Sequence, residues 1–198
     1  MSDDTARSTG ERPSAVPSAG AGLAAWLAGY ALTYALTAPR VRASLVNRLA
    51  QALSGEATTW RVVGWIFYNA HVVDTRIEAG IFGSGAVNFV GGDSFSPLLY
   101  ALPPVVLVAA GALAARVADV DRSGAAVALA TAPLVGGYLL LTVAGLVAFP
   151  VVASGASAGP DPVAAVVLAG LVYPAVFGGV GVTLGAWTGG GARSRGTR

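Results

Sequence analysis

The chain alternates between long apolar runs and short breaks rich in glycine, proline and charge. Apolar runs cover about 19–38, 97–115, 124–152 and 162–187, each near or above the roughly 18 to 20 residues a helix needs to cross a hydrocarbon core. No charged residue occurs from Ala125 to Pro160 or from Pro162 to Ala192. The predicted fold class is all-α: a polytopic transmembrane helix bundle, embedded in a lipid bilayer. Pro103, Pro104, Pro133 and Pro174 fall inside these runs, and the backbone bonds they remove imply helices packed on one another rather than isolated anchors.

Pro39 is expected to end the first span. In RVRASLVNRLAQALSG, which follows it, Val41, Leu45, Leu49 and Leu53 recur every fourth residue. Arg40, Arg42, Asn47, Arg48 and Gln51 lie mostly elsewhere on the wheel. An amphipathic helix over 40–54 at the headgroup level and a basic connector helix in water both fit this pattern.

Residues 60–80, WRVVGWIFYNAHVVDTRIEAG, begin as a span and end as a polar surface. Val62 to Val73 gives only about 18 Å of helix against a core of about 30 Å. Extension to Ala79 adds Asp74, Arg76 and Glu78, each costing roughly 2.5–3.5 kcal/mol at mid-membrane. Arginine positions argue for a crossing. With Arg193, Arg195 and Arg198 in the cytoplasm, a crossing leaves only Arg7, Arg12 and Arg76 outside, whereas none puts Arg40, Arg42, Arg48, Arg61 and Arg76 there. The expectation is a short, polar-ended fifth span over 62–79, a cytoplasmic C-terminus and an external N-terminus in the cell membrane. A surface or partly inserted helix is the rival.

On such a helix Tyr68, His71, Asp74 and Glu78 share one stripe, at steps of three and four. They could form a proton relay or cation pathway at the outer mouth of a bundle. A plainer account makes Asp74, Arg76 and Glu78 a solvated helix end, with Asn69 and His71 bonded to neighbouring helices. In the last run Gly170, Pro174, Gly178, Gly181 and Gly185 also share a face. Such small residues let another backbone approach, from this chain, a second copy or another membrane protein.

Composition narrows the chemistry. The chain of 198 residues is 55% hydrophobic and 11% charged, far below the charged fraction of about a quarter in soluble domains. It has no cysteine, which excludes disulfides and thiolate chemistry, and a single histidine, which leaves few ligands for a transition metal. All positive charge comes from twelve dispersed arginines, a layout that fits membrane orientation and not a nucleic-acid face. Residues 1–18 read as a disordered tail, 19–188 as the membrane domain and 189–198 as a basic tail. The first apolar run exceeds a secretory signal in length and follows a segment of mixed charge, so it is expected to be retained.

Asp119 and Asp121 read as a short loop that caps the next helix rather than as a phosphoryl-transfer pair. GSGAVN lacks the third glycine of a dinucleotide fingerprint, and no G-x-S-x-G, H-E-x-x-H or P-loop pattern is present. No enzyme activity, cofactor or metal is expected.

GWIFYNAHVVDTRI and LLYALPP resemble a group of small multi-pass membrane proteins from halophilic archaea, over residues 20–187. That group has no assigned activity, although some members are loosely labelled transporters. The resemblance implies a membrane location and transfers no site residues. The functional expectation is a small transporter or channel-like subunit. The alternative is a non-catalytic membrane scaffold or a partner subunit of a larger complex.

Overall fold

A computed structural model describes residues 15–80, 83–92, 94–153 and 155–189. Most of both predicted tails lies outside these residues. Helix α1 spans Ala15–Ala43, starting inside the stretch expected to be disordered and running on through Pro39. One missing backbone bond near the end of a 29-residue helix does not break it, because Val41 beyond the proline is fully buried. The amphipathic helix α2 is therefore shorter than predicted, Leu45–Ser54. Ser44 accepts the Asn47 N–H at its start, and Gly55 closes it in the left-handed region at φ 70°.

Helix α3, Thr59–Asn69, has 11 residues, about 16 Å of length. The chain then turns back as strand β1, Thr75–Glu78. Residues 62–79 are thus not one helix, and the expected fifth span is corrected to a short helix followed by a strand. Every residue of α3 from Val62 to Asn69 is buried, the behaviour of a helix apolar all round inside a protein.

Strand β2 is Ser84–Val87, inside the glycine-rich segment that read as loop. A 3-10 turn, Pro97–Ala101, leads into α4, Leu102–Val117, and α5 follows at Gly124–Ala148. Strands β3, Val151–Ala153, and β4, Ala156–Pro160, connect α5 to the last helix, α6, over Pro162–Gly189. The strands form one antiparallel sheet in the order β2-β1-β4-β3, with Thr75 opposite Pro160 and Glu78 opposite Ser157. The fold is mostly helical but not purely all-α. Strands of three to five residues are too short to carry a period-two signal, and the central pairing, β1 with β4, joins segments far apart in sequence.

Among the described residues four helices are long and apolar enough to cross a membrane: Ala15–Ala43, Pro97–Val117, Gly124–Ala148 and Pro162–Gly189. They associate as two parallel pairs through glycine. Gly22 of α1 lies against the Leu134 carbonyl of α5, and Gly137 of α5 lies against the Ala19 carbonyl of α1; a Cβ on either would overlap the facing backbone. Gly181 and Gly185 of α6 likewise meet the Val108 and Ala112 carbonyls of α4. Such close backbone approach is the usual substitute for a hydrophobic drive between helices in lipid. Gly170 and Gly178 turn towards Leu139 and Leu134 of α5, and Pro174 is buried. The small-residue face of the last span is thus filled from within the chain.

Because α1 runs parallel to α5 and α4 parallel to α6, Ala15 and Gly189 lie at the same end of the bundle. The other end is capped by α2, α3 and the sheet. Beneath this cap Trp26, Tyr30, Phe67 and Phe149 stack or meet edge to face, at centroid distances of 5.1 to 6.2 Å. Trp65 Nε1 donates to the Phe149 carbonyl at 3.0 Å and ties α3 to the end of α5.

Candidate functional site

The site grows from the way α3 stops. Val73 N–H bonds the Tyr68 carbonyl and Val72 N–H the Asn69 carbonyl, the double closure of a Schellman turn. Its left-handed position, normally glycine, is held by Val72 at φ 61°, a strained place for a β-branched residue. Asn69 secures the turn: its Nδ2 donates to the Val73 carbonyl at 2.7 Å, and its Oδ1 accepts the Phe89 N–H at 3.0 Å.

That turn sets His71 among three helices with no exposed surface. His71 Nδ1 is 2.8 Å from the Phe67 carbonyl, and Nε2 is 2.8 Å from the hydroxyl of Tyr138 on α5. A carbonyl can only accept, so Nδ1 carries the proton and Nε2 of the neutral ring accepts from Tyr138. The Tyr173 ring of α6 lies 5.0 Å from the imidazole, and the Phe67 ring meets it edge to face at 4.8 Å. One turn earlier Tyr68 donates to the Thr142 carbonyl at 2.5 Å, and Thr142 Oγ1 donates to the Tyr138 carbonyl.

Around Tyr173 the backbone of α6 is π-helical, over Ala165–Val172 and Pro174–Gly178. Wide turns of this kind recur at functional positions in helices. A buried ionisable side chain, a left-handed valine beside it and a π-helical stretch opposite it therefore meet at one point.

The predicted stripe does not stay together. Tyr68 and His71 are buried in this cluster. Asp74 and Glu78 are exposed beyond the end of α3. Asp74 accepts from Asn88 at 3.2 Å and Glu78 from Ser157 at 3.4 Å. Tyr138, Thr142 and Tyr173 were missed because they lie in the long apolar runs, where a tyrosine reads as one more large side chain. Their hydroxyls, rare polar groups in a charge-free stretch, were the signal available.

A second polar feature sits at the rim of the cap. Arg76 on β1 donates through Nε to Asp161 at 2.6 Å, and its terminal nitrogen lies 2.5 Å from the same oxygen. Asp161 also caps α6, accepting the Val163 and Ala164 N–H groups. Partial burial raises its pKa, but the Ala164 N–H, Arg76 and the Val163 N–H outweigh this and hold it below the ordinary carboxylate value. Among the described residues no three His, Asp or Glu side chains stand together as a metal set would require.

No curated protein and no solved structure matches the chain. A family model matches residues 1–189, and its description carries no source group, transport label or activity. With a helix bundle of membrane-spanning length and a site buried at its capped end, the chain belongs to this family of unknown function, DUF7978.

Proposed function

We propose that the protein is a multi-pass cell-membrane protein of the transporter or channel type, in which α3 plugs one end of the bundle and the His71–Tyr138 bond latches the plug. The observation that carries this reading is the burial of an ionisable ring between α3 and two spans, a placement whose cost is usually retained for ion or proton passage. Among the described residues the titratable groups facing the ring are Tyr138 from α5 and Tyr173 from α6, and Tyr68 on α3 stands near Tyr138. The ring takes part in neither ion pair found among the described residues.

With four crossings, Arg116, Arg122 and both tails share one face, while Arg40, Arg42, Arg48, Arg61 and Arg76 share the other. The positive-inside rule then favours cytoplasmic termini and an external cap. Reporter fusions at each end test this, and an external N-terminus would refute it.

The functional test uses vesicles loaded with a pH-sensitive dye, under an imposed potassium diffusion potential. Wild-type protein is expected to move protons faster than empty vesicles do, and His71→Ala, purified as a folded protein, is expected to change that rate severalfold. Equal rates for wild-type and empty vesicles would remove proton passage; equal rates for variant and wild type would remove His71 from the pathway.

A further inference from the structure

We infer that the corner between α1 and α2 is a binding site for an anionic phospholipid, with the phosphate on Arg40 and an acyl chain in the groove below it. Two cavities meet at Arg40 and Phe95. One, of about 420 Å³, is lined by Leu36, Leu98, Leu99 and Leu102 on the flanks of two spans. Leu36 is 65% and Leu98 79% exposed, so this groove opens sideways to the bilayer. The other, of about 450 Å³, reaches under α2 to Val62 and Ile66 of the plug.

Charge selects the occupant. Arg40 donates to the Ser94 carbonyl at 3.0 Å and lies 5.9 Å from the Phe95 ring centroid. Arg42 donates to the Tyr34 hydroxyl and Arg48 to the Ala43 carbonyl, which lines the second cavity. Among the described residues all three cations of the corner bond neutral oxygens, and the ion pairs found there are Arg61–Glu56 and Arg76–Asp161 elsewhere. Among the described residues Arg40 engages the Ser94 carbonyl alone, and the planar fork of a guanidinium suits a phosphate. On α2, Leu45 and Leu49 are 66% and 53% exposed, the apolar face of a helix lying at the headgroup boundary beside those cations. A zwitterionic headgroup would bring a second cation among three arginines, so the corner favours a net negative lipid.

Protein reconstituted into nanodiscs of mixed phosphatidylglycerol and phosphatidylcholine, then released and weighed intact by native mass spectrometry, reads the site directly. Wild-type protein should retain phosphatidylglycerol preferentially. Arg40→Gln should lower that enrichment about tenfold, the scale of one charge-assisted bond, while Arg122→Gln at the opposite end leaves it unchanged. Leu36→Trp fills the groove without touching the charge and should also reduce retention, which keeps the test valid if Arg40→Gln misfolds. No preference for phosphatidylglycerol in the wild type, or full preference in Arg40→Gln, overturns the assignment. So does displacement of the lipid by soluble glycerol phosphate at matched concentration, or a dimer in place of bound lipid that Leu36→Trp abolishes.

Discussion

His71 Nε2 and the Tyr138 hydroxyl stand 2.8 Å apart across 67 residues of sequence, both buried and both at points where one helix meets another. The bond has a direction. With Nδ1–H directed at Phe67, Tyr138 is the donor, and removing its hydroxyl leaves a buried ring nitrogen without a partner. Tyr138→Phe is therefore expected to cost roughly 1–3 kcal/mol, read as a lower midpoint of thermal unfolding in detergent. An unchanged midpoint would mean that the pair does not hold α3 in place.

Val72 offers the opposite sign. A left-handed conformation costs a β-branched residue on the order of 1–2 kcal/mol, and at 55% exposure its side chain contributes little burial in return. Val72→Gly should stabilise the fold by up to about 1 kcal/mol after the entropy cost of glycine. If the strain serves opening of the plug, the same variant also slows proton entry in the vesicle assay.

Neighbouring glycines on α1 should behave differently. A Cβ on Gly20 meets nothing within 4 Å, whereas one on Gly22 would overlap the Leu134 carbonyl. Gly20→Ala is expected to be neutral or to stabilise by up to roughly 1 kcal/mol. Gly22→Ala should destabilise by roughly 1–3 kcal/mol or more, and Gly181→Ala should follow Gly22→Ala for the same reason on α6. Similar midpoints for Gly20→Ala and Gly22→Ala would contradict the parallel packing of α1 and α5.

Asp161 predicts an acid sensitivity. Its folded pKa lies below the unfolded one, so the stabilisation is complete above the unfolded value of about 4 and is lost as pH falls through the folded value. Asp161→Asn keeps a side chain that can cap α6 but lacks the charge for Arg76. The difference in unfolding midpoint between wild type and Asp161→Asn should be constant near neutral pH and shrink towards zero below about pH 4. A gap that persists in acid would assign the effect to the cap alone.

The four spans were legible because apolar length alone encodes them, and Leu102–Val117 or Gly124–Ala148 needed no tertiary information. The end of α3 was not. Helical periodicity carries Tyr68 and His71 on to Asp74 and Glu78, and only the left-handed Val72, a residue with no local preference for that conformation, breaks it. Strand β4, ASAGP, has almost no intrinsic strand character and exists because β1 lies beside it. Gly181 and Gly185 were recognisable as a packing face, but the choice of α4 as their partner depends on where the chain goes after α3.

The pairing of β1 with β4 restricts how the cap can yield. Four residue pairs from Thr75 to Glu78 stitch the exit of α3 to the connection between α5 and α6, and the Asp161 N–H bonds the Asp74 carbonyl just below. Withdrawal of α3 by itself would tear this seam. Any wide opening must carry the α5–α6 rim with it, as a hinged lip and not as a loose cork.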